Sequence, residues 1–373
     1  AFQGPPNSGK NVITIESPHV VTIDFVGASA NQFTIAAGAQ IVVNTGATLT
    51  IANEPGSPDM TINGILDISG TVTRSTGAVI SINGEVINRT GTFTGMGSGF
   101  IIFNANSFYR HLRNAGGIPN ANWHPSSTCE VAGVLAGGIT GLAQNFGNFT
   151  WNRTGQTNNQ SLPDASTMSI SGNFTIHSTG TGRLYLNQPF LNVGGNFTQS
   201  GGRFRLANAD NDRIVTVNGN ANITNDSLIM AAGGPGAMGI GTLEVKGNFS
   251  ATGGTITETS EGTGHGNIIF NGSATQGITA TGTINESINF AVDNSMGVLL
   301  ATDLTIPGDL ILASGLVSLG AFDLQVKGDV SGGSSTVYVR TNGVGRLRQT
   351  VPAGSVFFPV GNGSYNPATL ANS

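Results

Sequence analysis

The chain has 373 residues, of which only 9% are charged against about 25% in an ordinary soluble domain, and 56 are glycine. Its net charge is -5 and it has only the lysines Lys10, Lys246 and Lys327, so it lacks the basic stripe that nucleic-acid binding requires. No apolar run is long enough for a membrane span. The single cysteine, Cys129, excludes an intramolecular disulfide framework.

Residues 1–103 are predicted to form short strands separated by turns. Apolar runs such as residues 12–15 (VITI) and 20–26 (VVTIDFV) are rich in Val, Ile and Thr, and helical periodicity is nearly absent. Similar Gly-containing segments recur at Gly46, Gly64 and Gly84, at intervals of 18 and 20 residues. We therefore expect these residues to form β-solenoid coils of short period.

Residues 104–145 depart from this pattern and are predicted to form an irregular insertion. They contain aromatic, arginine and histidine side chains of the kinds that dominate protein contact sites. The sequence predicts either a contact patch for a glycan or protein, or packing of the insertion against the solenoid; the residues concerned are Tyr109, Arg110, Trp123 and His124. His111, His124 and Cys129 could suggest zinc, but one Cys and two His on an irregular loop do not define a zinc site.

Residues 146–333 repeat the motif Gly-Asn-Phe-Thr and its variants. The Asn positions are 25, 23, 24 and 28 residues apart, and the motif later continues with Asp in place of Asn. Equivalent positions in a solenoid stack, so these residues should form one structural column: Asn148, Asn173, Asn196, Asn220, Asn248, Asp309 and Asp329. The aromatic residues that follow should form an inward column, broken by Ala221: Phe149, Phe174, Phe197 and Phe249.

The motif has a physical explanation that does not involve glycosylation. Glycine takes backbone angles that other residues avoid, and a stacked Asn side chain can hydrogen-bond to its copies in neighbouring coils. We therefore interpret the Asn-x-Ser/Thr pattern as a consequence of the turn and the following strand.

Residues 334–373 break the repeat and are predicted to begin a following β domain or linker.

A period of about 18 to 28 residues without helices fits a parallel β-helix better than a leucine-rich repeat or a propeller blade. The predicted fold is an all-β parallel β-helix, or β-solenoid, of about 12 to 15 coils. It carries one irregular insertion and a C-terminal exit into a further β domain.

Most of residues 100–373 resemble segments of large secreted surface proteins of Bacteroidota. The resemblance rests on residues 118–134 (IPNANWHPSSTCEVAGV), 141–152 (GLAQNFGNFTWN), 194–206 (GGNFTQSGGRFRL) and 351–370 (VPAGSVFFPVGNGSYNPATL). It implies a very long extracellular polypeptide exported by type IX secretion, often an adhesin or filament. It supplies no catalytic motif.

The sequence predicts no enzyme active site and no cofactor. A hydrolase needs two carboxylates in one groove; the closest pairs, which read as solvated turn residues, are Asp210 with Asp212, Glu258 with Glu261, and Asp303 with Asp309. Asp210 and Asp212 are also weak calcium candidates, but no Asp-x-Asp-x-Asp-Gly frame follows, so we predict no metal site.

The predicted function is that of an extracellular, cell-surface structural or adhesive segment of a giant protein, with no enzymatic activity. Its expected partners are further copies of itself, in a lateral bundle or fibre, together with cell-surface glycans or other cells. The alternative is a carbohydrate-binding or carbohydrate-active β-helix. A lesser alternative is an ice-binding solenoid, because residues 71–77 and 252–260 contain alternating Thr, although no strict Thr-x-Thr is expected to recur at a fixed coil position.

Overall fold

A computed structural model describes residues 13–56, 58–93, 99–133, 137–164 and 167–372. About 52% of the chain is strand, no helix occurs in those ranges, and parallel sheets stack as a β-solenoid of about 15 turns. This confirms the predicted fold class.

The chain divides into two compact units. The first comprises Ala1–Gln160, Thr167–Gly172 and Thr179–Thr181, and the second comprises Ser161–Ser166, Asn173–Ser178 and Gly182–Ser373. The strand Gln160–Ser161 spans the division.

The first unit contains three main parallel sheets. Sheet A comprises Ile13–Ile15, Phe33–Ile35, Met60–Ile62, Ile80–Ile82, Ile101–Phe103 and Asn122–Trp123. Sheet B comprises Val20–Ile23, Gln40–Val43, Ile65–Ile68, Glu85–Asn88, Phe108–His111, Thr128–Val131 and Asn148–Asn152. Sheet C comprises Ala28–Ala30, Thr48–Ile51, Thr71–Arg74 and Thr92–Phe93. Two short pairs, termed D, complete it: Gly116–Gly117 with Ile139–Thr140, and Asn145–Phe146 with Ser169–Ile170.

The second unit contains four parallel sheets and one antiparallel pair. Sheet E comprises Phe174–Ser178, Phe197–Gln199, Ala221–Ile223, Phe249–Ala251, Gln276–Ala280, Val298–Leu300, Val317–Ser318, Val339–Arg340 and Val360–Gly361. Sheet F comprises Phe190–Val193, Arg213–Val217, Ile240–Val245, His265–Phe270, Ile288–Asp293, Leu310–Ser314 and Val330–Gly332. Sheet G comprises Arg183–Tyr185, Arg203–Arg205, Ser227–Pro235, Thr255–Glu261 and Thr283–Ile284. Sheet H comprises Leu304–Ile306, Leu324–Val326 and Leu347–Gln349, and Gly354–Phe358 pairs antiparallel with Ala368–Asn372.

Many strands alternate between the core and the outer surface. In the strand Ile80–Ile82 both isoleucines are buried and Ser81 between them is partly exposed, as the two-residue period of a strand requires. Equivalent residues pair in register, so Ile80 lies between Met60 and Ile101. The core is consequently built from columns of apolar side chains, one from each turn.

Residues 104–145 differ from the predicted irregular insertion. Phe108–His111 and Thr128–Val131 are strands of sheet B that pair in parallel with each other and with neighbouring turns. The inward positions of Phe108–His111 are Tyr109 and His111, both fully buried. The repeat was hidden in the sequence because polar ring side chains occupy positions that aliphatic residues fill elsewhere.

Residues 334–373 also continue the solenoid further than expected. Val339 pairs in parallel with Val317 and with Val360, and Leu347 pairs with Leu324. The strands Gly354–Phe358 and Ala368–Asn372 pair antiparallel with each other. The parallel coil pairing therefore continues past position 334 as far as the strand Val360–Gly361, with this antiparallel pair beside it.

Candidate functional site

The Asn residues of the repeat form a hydrogen-bonded ladder in the second unit. The side-chain oxygen of Asn173 accepts the backbone N–H of Asn196 at 2.8 Å, and Asn196 accepts that of Asn220 at 2.8 Å. Asn220 accepts the N–H of Asn248 at 2.8 Å, and Asn248 accepts that of Gly277 at 2.7 Å. In each bond a backbone N–H therefore donates to an Asn side-chain oxygen, whereas the sequence predicted bonds between the Asn side chains of neighbouring turns.

This geometry satisfies a backbone donor at each corner, where the sheet ladder is interrupted. Asn148 lies at the corresponding position in the first unit, immediately before Phe149 in the last strand of sheet B. Its amide nitrogen is 3.4 Å from the Thr128 hydroxyl.

Asp309 and Asp329 belong to a different ladder from the five asparagines. Asn289 accepts the backbone N–H of Asp309 and Asp309 accepts that of Asp329, each at 2.8 Å. These two aspartates precede strands of sheet F, whereas the four asparagines of the second unit precede strands of sheet E. The predicted single column is therefore wrong for Asp309 and Asp329, because the same strand-Gly-Asx-strand motif occurs at another corner of the coil.

The glycine of the motif is required for space and not for unusual backbone angles. A Cβ on Gly219 would lie 2.5 Å from the Asn196 side-chain oxygen, and one on Gly247 would lie 2.6 Å from that of Asn220. Neither glycine has a positive φ. The side-chain oxygen of the Asn one turn earlier fills the space that a side chain on the glycine would need. The Asn of one turn therefore requires the glycine of the next.

The four predicted core phenylalanines are buried. Phe149, Phe174, Phe197 and Phe249 are each at most 1% exposed. Phe174 pairs with Phe197, Phe197 with Ala221, and Ala221 with Phe249, so alanine interrupts the column in the second unit. The rings of Phe174 and Phe197 are 5.5 Å apart, a favourable aromatic separation.

The predicted contact patch of Tyr109, Arg110, Trp123 and His124 is not a patch. Tyr109 is fully buried and Trp123 is 9% exposed, while His124 is exposed in a turn. Arg110 lies on the outer face of sheet B, 3.0 Å from Glu130 and 3.7 Å from Glu85. Alternation along the strand separates Tyr109 from Arg110, which is why neighbouring residues cannot share one surface.

Tyr109 instead belongs to a polar cluster in the core. Its hydroxyl accepts a bond from the Asn88 amide at 3.2 Å and lies 3.1 Å from His111 Nδ1. Burial lowers the pKa of His111 to about 4, and the charge of Arg113 acts in the same direction. Burial raises the pKa of the Tyr109 hydroxyl and of the Cys129 thiol. Tyr109, His111 and Cys129 are all fully buried, so these groups of the cluster do not contact solvent.

Several of the acidic residues considered as catalytic groups or calcium ligands accept backbone N–H groups. Asp210 accepts the N–H of Met238 at 3.1 Å and Asp212 that of Ile240 at 2.8 Å. Glu258 accepts the N–H of Ser260 at 2.7 Å. Within the described ranges no three His, Cys, Asp or Glu residues are grouped to hold a metal ion.

Sheet C carries threonine columns that the sequence reasoning missed. Thr48, Thr71 and Thr92 are register partners in successive turns, and Thr50 pairs with Thr73. The residues between them are buried, so the hydroxyls lie on the outer face. Thr-x-Thr therefore does recur at a fixed position, in the segments 48–50 and 71–73.

Sheet G carries a basic surface that the sequence reasoning also missed. In its first two strands the central residues Leu184 and Phe204 are fully buried, so the flanking side chains lie on the outer face. The segments 182–186 (GRLYL) and 202–206 (GRFRL) share a pattern 20 residues apart, which was the available signal. We term this surface the arginine face, which comprises Arg183, Tyr185, Arg203 and Arg205.

The parallel coils, together with the Asn and Asp hydrogen-bond ladders at their corners, define this chain as a β-solenoid repeat protein. Comparison with protein-family models, curated proteins and solved structures finds no match to it. No helix long and apolar enough to cross a membrane occurs in the described part of the chain.

Proposed function

We propose that this chain is an extracellular structural or adhesive segment of a giant cell-surface protein, and that it assembles laterally into a filament or bundle. The observation that carries the proposal is the outer face of sheet C, where hydroxyl side chains form columns in register without charges between them. Neutral hydroxyl groups can hydrogen-bond to copies of themselves, so packing these columns against another copy buries no charge of their own.

The ladders support a mechanical role. Each turn is joined to the next by the parallel sheets, and the corners add bonds such as Asn196 to Asn220. A force along the stack would have to break several hydrogen bonds at once between any two turns. Cooperative bonds of this kind suit a chain that bears tension outside the cell.

The resemblance to Bacteroidota surface proteins supports secretion through the type IX route and a location at the cell surface. Low charge and a fold stabilised without disulfides are compatible with that location. We propose no enzymatic activity, because the candidate carboxylates Asp210, Asp212 and Glu258 accept backbone N–H groups, as structural turn residues do.

Lateral assembly is tested by concentrating the purified chain and examining it by sedimentation velocity and negative-stain electron microscopy. The expected result is fibres or bundles wider than one solenoid. The variant Thr50→Lys/Thr73→Lys places like charges opposite each other on the outer face and should abolish assembly. Thr50→Ser/Thr73→Ser keeps both hydroxyls and should assemble normally. A wild-type chain that stays monomeric at all concentrations would contradict the proposal.

The threonine columns favour one second candidate, an ice-binding face. Regularly spaced hydroxyls on a flat solenoid face can order water at the positions of an ice lattice. Measurement of ice recrystallisation in the presence of the chain separates the two functions. Strong inhibition that is lost in Thr50→Lys/Thr73→Lys, without any lateral assembly of the wild type, would favour the second candidate.

A further inference from the structure

The arginine face places like charges directly opposite each other. Arg183 and Arg203 are Cα partners in adjacent parallel strands, which lie about 4.8 Å apart. Like charges in such a pair destabilise a sheet. The pairing concentrates positive charge on one surface of a chain that has only 15 basic residues.

The Arg205 side chain is held in place by an aromatic ring. Its guanidinium carbon lies 3.8 Å from the centre of the Tyr185 ring, a cation–π contact that fixes its plane. Its Nε is buried and has no hydrogen-bond partner, and no carboxylate of the described residues forms an ion pair with it. Burial lowers the pKa of Arg205 and the charge of Arg183 lowers it too, while Tyr185 acts in the opposite direction. A bound anion would relieve both effects.

The same outer surface continues as a column of hydroxyl groups. Arg203 pairs with Ser227, Ser227 with Thr255, and Thr255 with Thr283. Ser227 and Thr255 are partly exposed and Thr283 is exposed. One flat surface therefore offers cations at one end and hydroxyl donors and acceptors along the rest.

We propose that the arginine face and this hydroxyl column bind an acidic polysaccharide. The guanidinium groups of Arg203 and Arg205 pair with its carboxylate or sulfate groups, and the hydroxyl column bonds to its sugar hydroxyls. The proposal deepens the adhesive part of the proposed function by naming a ligand class, and it does not depend on lateral assembly.

The charge distribution favours a polysaccharide over a nucleic acid. A nucleic acid presents a charge on every nucleotide and requires an extended basic stripe, whereas this surface has three arginines on a chain of net charge -5. The hydroxyl column adds neutral hydrogen-bonding groups that suit the many hydroxyls of a sugar chain.

The test is binding of the dilute, monomeric chain to immobilised heparin and polygalacturonate, with dextran as the neutral probe, measured by biolayer interferometry. We expect binding to one or both acidic polymers and none to dextran. Arg203→Gln/Arg205→Gln should weaken the affinity about tenfold or more, because each guanidinium forms charge-assisted bonds. The matched control Arg213→Gln/Arg346→Gln removes the same charge elsewhere and should change the affinity less than about twofold.

The comparison of heparin with polygalacturonate identifies whether sulfate or carboxylate is preferred. Equal loss of affinity in the two double variants would overturn the proposal, since it would indicate attraction by net charge. Equally tight binding of dextran or of single-stranded DNA would overturn it too. Thermal melting of both variants verifies that they fold, and sedimentation of the same samples shows whether lateral assembly is intact independently of ligand binding.

Discussion

Replacing Gly247 with alanine tests the link between the glycine and the ladder. The new Cβ would lie 2.5 Å from the Gly219 carbonyl oxygen and 2.6 Å from the Asn220 side-chain oxygen. Real Cβ atoms do not approach oxygen so closely, so the corner must open. Opening it lengthens or breaks the 2.8 Å bond from the Asn248 N–H to Asn220.

The expected cost follows from two terms. Forcing an extra methyl group into a packed site costs about 1 to 3 kcal/mol. Loss of one backbone hydrogen bond at a corner adds about 1 kcal/mol. The restricted unfolded chain returns about 0.5 kcal/mol. We therefore expect Gly247→Ala to lower the free energy of unfolding by about 1.5 to 3.5 kcal/mol.

The assay is urea denaturation followed by circular dichroism, with Gly234→Ala as the matched control. A Cβ on Gly234 would meet no atom within 4 Å, and Gly234 has no positive φ. The control should therefore be neutral or slightly stabilising, by up to about 1 kcal/mol. Equal stability of the two variants would refute the steric explanation of the Gly-Asx motif.

Three further predictions concern the core and the ladder. Phe197→Ala should lower the free energy of unfolding by about 3 to 5 kcal/mol, because the ring is fully buried. In the same urea titration Phe190→Ala, at a side chain that is 60% exposed, should cost less than about 1 kcal/mol. Equal costs would contradict the core assignment. The pKa of His111 is lowered from 6.5 to about 4, so the unfolded chain binds the extra proton first, and stability should fall by about 3 kcal/mol as the pH drops from 7 to 4. His111→Gln should lose that part of the pH dependence and His124→Gln should retain it, as measured by denaturation at each pH; a pH profile unchanged in His111→Gln would disprove the assignment. Asn196→Ala should cost about 1 to 2 kcal/mol through loss of the acceptor for the next turn, whereas Asn196→Asp should be nearly neutral, since Asp309 fills the same role naturally; a large loss of thermal stability in Asn196→Asp would count against the ladder.

The solenoid fold follows from local features of the sequence. Two-residue alternation of apolar side chains, glycine at corners and a recurring Gly-Asn-Phe motif predict strand, turn and coil repeat without knowledge of distant contacts. Phe174 and Phe197 were placed in the core for that reason, and the structure buries both. Periodic information of this kind is carried along the chain and can be read directly.

Which corner each motif occupies was decided only by the tertiary structure. Asn248 and Asp309 share a local pattern, but the number of strands before each determines whether the next strand enters sheet E or sheet F. The segment around Tyr109 was similarly misassigned, because Tyr and His side chains at inward positions read as surface residues until the neighbouring turns supply their partners.

The arginine face and the threonine columns also depend partly on the sequence and partly on the tertiary structure. The sequence by itself determined that the chain alternates, turns at glycine and stacks into coils, because alternation and turns depend on near neighbours and the coil is marked by a motif that recurs along the chain. The tertiary structure decided that Arg183 lies beside Arg203 and Thr48 beside Thr71, residues 20 and 23 positions apart. Coil lengths vary from turn to turn, so the register that brings such residues together is set by the packing of whole coils.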